Sequence, residues 1–130
     1  MESVLTKTET KTKLKESPFC SVHLTADFIS PKVFIEDAQE LEDVLYGAAL
    51  AANNTPLKAV VHKFPVQGIT GVILLAESHI SVHTWPEHDY VAIDIFTCGE
   101  KTQPLKALEY LKKKFLPEKV KFEEVIRGKI

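Results

Sequence analysis

The chain has 130 residues, 45% of them hydrophobic and 26% charged, which is the size and composition of one globular domain. Its 16 basic and 18 acidic residues give a net charge of -2, so no basic excess exists to drive nucleic-acid binding and we expect no nucleic-acid partner. Two cysteines are too few for a disulfide framework or a four-cysteine zinc site, and no apolar run reaches the roughly 18 residues of a membrane span.

The beginning of the chain differs in composition from the rest. Residues 1–18 are rich in Lys, Thr, Glu and Ser and show no periodicity, so we expect a flexible tail there. A single domain is expected over residues 19–130. The tail lacks the apolar core of a signal peptide, from which we expect a cytoplasmic protein with reduced thiols.

The domain begins with a strand pattern and a helix pattern. Residues 22–29 alternate between apolar and polar side chains and predict a half-buried strand, interrupted by Ser30-Pro31. Residues 37–53 predict a helix that starts at Asp37, with Glu40 completing a capping box, and stops at Asn53-Asn54 in left-handed geometry. The apolar stripe of this helix consists of Ala38, Leu41, Leu45, Ala48 and Ala52.

Four more strands, a second helix and a last strand follow. The strands are predicted over residues 57–64, 69–76, 79–84 and 90–98, and the nearly all-apolar second one is expected to be buried on both faces. A helix over residues 103–115 is capped by Thr102 and ended by Pro117, and residues 119–127 form the last strand. This order predicts an α+β fold, a two-layer sandwich of an antiparallel sheet with two helices on one face.

The densest group of reactive side chains lies on one predicted hairpin. If residues 85–89 join two antiparallel strands, Thr84 pairs with Val91 and Ser78 pairs with Thr97. The Ser78 hydroxyl and the Cys98 thiol then share one neighbourhood.

His83 lies far from that neighbourhood. Five residues of regular strand separate it from Ser78 by roughly 16 Å and turn it to the opposite face of the sheet. Either the strand bends sharply, or a symmetry-related chain supplies the histidine, which a two-fold dimer achieves at both sites at once.

Each of these residues also has an ordinary structural interpretation. A serine in a strand is usually a small polar filler, and a lone cysteine commonly behaves as a buried apolar residue. By default the remaining candidates are two core aromatics and one solvated turn residue: Phe64, Trp85 and Glu87.

Several other site types are disfavoured. His79 and His83 have a spacing that suits metal ligands on a helix, but they fall in a strand without a third ligand, so we expect no metal. The G-x-S-x-G element of serine hydrolases, a phosphate loop and a dinucleotide fingerprint are absent.

The segment LAESHISVHTWPEHDYVAIDIFTCGE, residues 75–100, resembles the signature of the prokaryotic S-adenosylmethionine decarboxylases, which are small pyruvoyl-dependent enzymes. The likeness begins at HLTADF (23–28), continues through Phe64-Pro65 and GITG (68–71), and reaches the second helix. It therefore covers about residues 20–115 of the chain.

The resemblance implies a self-made cofactor. The proenzyme would cleave itself between Glu77 and Ser78, and Ser78 would become a pyruvoyl group that forms a Schiff base with the substrate and supplies the electron sink for decarboxylation. It also implies that His83 serves the self-processing and that Cys98 is the proton donor. The substrate-binding residues that it implies are Glu87 for the ribose, Phe64 for stacking on adenine, and Trp85.

One position departs from the family pattern. The family usually has serine where this chain has Thr70, at a place linked to processing. Threonine keeps the hydroxyl and adds a methyl group, so the departure bears on the rate of self-cleavage. The tail is also longer than the family minimum.

Three functions remain open from the sequence. The first is decarboxylation of S-adenosylmethionine to supply aminopropyl groups for spermidine synthesis, by a homodimer with shared active sites. The second is the same chemistry on L-arginine or L-ornithine, which leaves Ser78, His83 and Cys98 unchanged. The third is a non-catalytic domain that never cleaves itself.

Overall fold

The computed structural model describes residues 20–128 of the chain. The predicted tail, residues 1–18, lies outside these residues. The order of elements agrees with the prediction: β1 (Ser21–Pro31), α1 (Ala38–Ala51), β2 (Thr55–Lys63), β3 (Ile69–Ala76), β4 (Ser78–Trp85), β5 (Tyr90–Cys98), α2 (Pro104–Phe115) and β6 (Pro117–Arg127). A short 3-10 turn, Pro86–His88, joins β4 to β5.

All six strands form one antiparallel sheet in the order β2-β3-β4-β5-β1-β6. Helix α1 packs on β2 and β3, helix α2 packs on β5 and β1, and the two helices contact each other. The predicted two-layer α+β sandwich with both helices on one face is therefore confirmed.

The core lies between the sheet and the helices. Phe28 of β1 meets Phe115 of α2 edge to face, with ring centroids 6.0 Å apart. At Gly71 of β3 a side chain would meet Leu41 and Leu45 of α1 at 2.8 and 2.9 Å, so glycine lets this helix lie close to the sheet. Of the predicted stripe of α1, Ala38 is exposed because it is the first residue of the helix.

The cap of α1 forms as expected. The Asp37 carboxylate accepts a hydrogen bond from the backbone N–H of Glu40 at 2.9 Å, and Asn53 follows the helix with a positive φ of 59°. The predicted cap of α2 is wrong. Gln103 occupies the N-cap position, because the Thr102 hydroxyl instead accepts a hydrogen bond from the Asn54 side chain at 2.6 Å.

Two strand predictions also need correction. β1 continues through Ser30 to Pro31, because this end of the strand still pairs with β6. β3 is not buried on both faces: its burial alternates, and Leu74 is 51% exposed. The helices cover only one face of the sheet, so the other face is open, as antiparallel sheets permit.

Candidate functional site

Two turns bring Ser78 and Cys98 to the same end of the sheet. Leu75 of β3 pairs with Ser78 of β4, which leaves Ala76 and Glu77 as a tight two-residue turn. Across β4 and β5, Ser78 pairs with Thr97, so Cys98 is the next residue of the neighbouring strand. The register predicted from the length of the loop between β4 and β5 is confirmed.

The backbone at Ser78 is strained. Its φ is 88°, in the left-handed region that side chains other than glycine rarely enter, and such a conformation costs about 1–3 kcal/mol. The strand pairs on both sides of Ser78 hold it there. The peptide group between Glu77 and Ser78 is therefore attached to a residue that the sheet keeps in an unfavourable conformation.

Cys98 is half-buried, and its thiol is 3.8 Å from the backbone oxygen of Cys20. Burial raises the pKa of the Cys98 thiol, and the negative charge of Glu77 and a hydrogen bond to its side chain raise it further. The Cys98 thiol keeps its proton at neutral pH because both burial and Glu77 disfavour the thiolate.

A second group of candidates lies at the other end of the sheet. Thr70 of β3 pairs with His83 of β4, and its hydroxyl lies 3.2 Å from Nδ1 of the histidine. The His83 ring faces Trp85 at 6.1 Å between centroids, and Trp85 in turn stacks on Tyr90 at 5.5 Å. Trp85 is 39% exposed, so it is not a core aromatic.

Phe64 joins this second group through the turn before β3. Its backbone N–H donates to the oxygen of Gly68 at 3.0 Å, and Gly68 has the positive φ of 95° that favours glycine. A side chain at Gly68 would touch both the Phe64 ring and Pro86, so the Phe64 turn and the 3-10 turn are neighbours. Phe64 is 44% exposed, and Glu87 in the 3-10 turn is exposed as well.

The structure therefore forms two groups and does not bring them together within one chain. One group is Glu77, Ser78 and Cys98; the other is Phe64, Thr70, His83, Trp85 and Glu87. Strand β4 joins the two groups. Its pairing with β3 is unbroken from Ser78 to His83, and its pairing with β5 is unbroken from Ser78 to Trp85. Five residues of this unbent strand span roughly 16 Å.

The open face of the sheet carries polar contacts that the sequence analysis did not single out. His23 Nε2 lies 3.0 Å from one oxygen of Asp94, and the Ser81 hydroxyl donates to the other oxygen at 3.3 Å. The Tyr90 hydroxyl donates to Asp27, and burial together with that hydrogen bond raises the pKa of Tyr90 to about 12. Alternation of polar residues along β5 was the available signal, but their partners lie on β1 and β4.

The part of the chain that the structure describes contains neither a metal-binding cluster nor a helix that could span a membrane. Within residues 20–128 no group of three or more His, Cys, Asp or Glu is placed to hold a metal ion. No helix in that part of the chain has the length and apolar character needed to cross a membrane.

Fold and site together define an antiparallel α+β domain with reactive side chains at both ends of one strand. The family model for S-adenosylmethionine decarboxylase matches residues 22–128 of it. A protein of Sulfurihydrogenibium sp. named S-adenosylmethionine decarboxylase proenzyme is 46% identical over 110 residues, which cover 82% of this chain and 81% of that protein. A proenzyme of the same name from Pelotomaculum thermopropionicum is 41% identical over 94 residues, covering 72% of this chain and 75% of the relative.

A solved structure agrees with these relatives. The crystal structure of the adenosylmethionine decarboxylase from Aquifex aeolicus superimposes with a TM-score of 0.77 at 32% identity, and the match covers 88% of this chain and 95% of that one. The chain belongs to the S-adenosylmethionine decarboxylase family.

Proposed function

We propose that this chain is a carboxy-lyase that decarboxylates S-adenosylmethionine with a pyruvoyl group made from its own Ser78. The observation that carries the proposal is the hairpin in which a strained serine lies beside a protonated thiol. Family membership and the names of the relatives support the substrate. The product would supply aminopropyl groups for spermidine synthesis.

The first step of the proposal is self-cleavage. The Ser78 hydroxyl oxygen bonds to the carbonyl carbon of Glu77, the bond from that carbon to the Ser78 nitrogen breaks, and the hydroxyl proton passes to the nitrogen. A base then removes the α-proton of residue 78, and the bond from its Cβ to the ester oxygen breaks. The leaving group is the main-chain carboxylate of Glu77. Hydrolysis of the resulting dehydroalanine releases ammonia and yields the pyruvoyl group at the start of residues 78–130. Strain at Ser78 favours this cleavage, because breaking the backbone bond relieves it.

The position of residue 78 fits a pyruvoyl group. It is half-buried at the start of β4, and after cleavage it is the first residue of its chain. The chemistry that this group supplies is an electron sink for the pair released when carbon dioxide leaves. The task of Cys98 is to return a proton to the substrate carbon, and a thiol with a raised pKa still carries that proton at neutral pH.

The substrate-binding residues of the proposal are the exposed side chains of the second group. Phe64 presents a partly exposed ring for stacking on adenine, and Trp85 presents a second partly exposed ring. The exposed Glu87 carboxylate is a hydrogen-bond acceptor for the ribose hydroxyls. The two proenzymes are named S-adenosylmethionine decarboxylase and the solved structure is named adenosylmethionine decarboxylase, whereas no observation favours L-arginine or L-ornithine.

A homodimer completes the proposed site. His83 serves Ser78 in the proposal, yet β4 holds the two residues roughly 16 Å apart without a bend. A two-fold related chain would supply the second group to the first group at both sites. The open face of the sheet, where apolar Val60 and Leu74 are exposed, is the surface that such a partner would cover.

Self-cleavage and substrate choice can be tested together. Purified wild-type protein should separate into residues 1–77 and 78–130, with a blocked N-terminus on the second fragment by intact mass, whereas Ser78→Ala should stay whole. The cleaved protein should release carbon dioxide from S-adenosylmethionine and not from L-arginine or L-ornithine. A wild type that stays whole would be the non-catalytic domain and would end the proposal.

A further inference from the structure

The side chain of Thr97 is an anomaly in the core. Thr97 is 1% exposed, and its hydroxyl has no hydrogen-bond partner among residues 20–128. Buried polar groups in native proteins are almost always paired, so an orphan hydroxyl calls for an explanation. By contrast, the buried hydroxyl of Thr84 accepts from the backbone N–H of Ile69 at 2.9 Å.

The neighbours of Thr97 narrow that explanation. It pairs with Val22 of β1 on one side and with Ser78 of β4 on the other. The next residues on the same face, Ile80 and Ile95, are buried and apolar. Of the two residues paired with Thr97, Ser78 alone has a hydroxyl, and directly opposed residues of antiparallel strands have their Cβ atoms about 4.5–5.5 Å apart.

We propose that Thr97 is a positioning residue for self-cleavage, whose hydroxyl accepts a hydrogen bond from the Ser78 hydroxyl as Ser78 attacks the Glu77 carbonyl. This inference rests on the proposed function. Attack makes the Ser78 proton more acidic, and a hydrogen bond from a more acidic donor is stronger. The contact is therefore stronger in the transition state than in the resting proenzyme, which is the condition for accelerating a step.

Thr97 takes no part in the covalent balance. The bond from Ser78 oxygen to the Glu77 carbon forms, the bond from that carbon to the Ser78 nitrogen breaks, and the proton ends on that nitrogen. Thr97 orients the Ser78 hydroxyl by accepting its hydrogen bond while the new bond forms, and it does not take the proton. This role explains why the Thr97 hydroxyl is unpaired in the resting proenzyme, because the hydrogen bond from Ser78 forms only during the attack.

The test compares variants that keep or lose the hydroxyl. Thr97→Val preserves the shape and should lower the first-order rate of cleavage about tenfold, the loss of one hydrogen bond from the transition state. Thr97→Ala should also be slow, whereas Thr97→Ser keeps the hydroxyl and should cleave within about twofold of wild type, a margin small beside the tenfold effect. Cleavage is followed by gel and intact mass after the proenzyme is released from denaturant.

A thermal measurement separates this role from a structural one. In the uncleaved Ser78→Ala background, Thr97→Val should raise the Tm by about 3 °C or more, because it removes an unpaired buried hydroxyl. The matched control, Thr84→Val in the same background, should lower the Tm, because its hydroxyl is paired with Ile69. Slow cleavage with a raised Tm supports a positioning role for Thr97. If Thr97 only stabilised the fold, Thr97→Val would lower both the rate of cleavage and the Tm.

Three results would overturn the inference and leave the proposed function standing. Thr97→Val cleaving at the wild-type rate removes the role of the hydroxyl, and Thr97→Ser as slow as Thr97→Val assigns the effect to the methyl group. Slow cleavage with a lowered Tm assigns it to folding. A wild type that never cleaves ends the proposed function and this inference together, so the two failures are distinguishable.

Discussion

Glu77 has two relations to the chemistry at its end of the sheet. Its carbonyl carbon is the proposed point of cleavage, and its side chain acts on Cys98, whose pKa it raises by charge and by a hydrogen bond. Burial is the larger cause of the raised pKa. Glu77 therefore precedes the proposed cleavage site and also helps to keep the Cys98 thiol protonated. A proton donor must carry its proton before it acts.

Removing the Glu77 charge should lower the pKa of Cys98. In the uncleaved Ser78→Ala background, alkylation of Cys98 rises with pH as the reactive thiolate forms, and its midpoint reports the pKa. Glu77→Gln should shift that midpoint to lower pH, but not below the ordinary value, because burial still disfavours the thiolate. In the cleaved enzyme a lower pKa means that the proton donor is lost at lower pH.

The readout is the rate of iodoacetamide labelling at Cys98 against pH, located by peptide mass, so that Cys20 is counted separately. Glu100→Gln is the matched control, because it removes an equal charge from an exposed side chain two residues away and should leave the midpoint in place. An unchanged midpoint in Glu77→Gln would contradict the contact between Glu77 and the thiol.

At the scale of elements, the pair of β3 with β4 sets the orientation of His83. The Thr70 hydroxyl lies within hydrogen-bonding distance of Nδ1, so it can fix the tautomer and the plane of the ring. This contact explains why a hydroxyl suits the position, whether threonine or the serine usual in the family. Thr70 is half-exposed, and its extra methyl group leaves the contact between its hydroxyl and His83 intact.

Loss of the Thr70 hydroxyl should slow self-cleavage. Thr70→Val keeps the shape and removes the partner of Nδ1, and we expect about a tenfold lower rate because the ring is no longer held. Thr70→Ser should cleave at least as fast as wild type. Cleavage followed by intact mass checks both variants, and a fast Thr70→Val would show that the contact does not serve processing.

At the scale of the whole molecule, the unbent strand β4 has the largest consequence. It keeps the Ser78 group and the His83 group at opposite ends of the strand within one chain. The His83 group contains two partly exposed aromatic rings, those of Phe64 and Trp85, and one face of the sheet is open. In the proposed homodimer, one two-fold interface would bring the Ser78 group of each chain to the His83 group of the other.

Mixing two inactive chains tests the shared site. Ser78→Ala cannot be cut, and His83→Ala lacks the proposed processing histidine. A mixed dimer has one site with both defects and one with neither. Co-expression should therefore restore cleavage of the His83→Ala chain, whose Ser78 is served by the intact His83 of its partner.

Intact mass of the co-expressed chains, with the mixed dimer isolated by two different tags, reads the outcome. The Ser78→Ala chain should stay whole in the same sample and serves as the internal control. If both chains stay whole in a verified mixed dimer, each chain uses its own histidine, and β4 would have to bend in solution.

Local pattern and loop length determined much of this protein. Alternation placed the strands within a few residues of their bounds, and the predicted turn at residues 85–89 set the pairing of Ser78 with Thr97. The signature segment, residues 75–100, was sufficient to indicate the family. These features depend on neighbours close in the chain, which is why the residues alone sufficed.

The tertiary structure decided what depends on distant residues. An apolar run does not reveal which of its side chains face away from the helices, so the exposure of Leu74 was missed. The same holds for contacts between separate elements, such as Asn54 with Thr102 or His23 with Asp94. The pKa of Cys98 and the orphan hydroxyl of Thr97 depend on burial, and burial is a property of the packed chain.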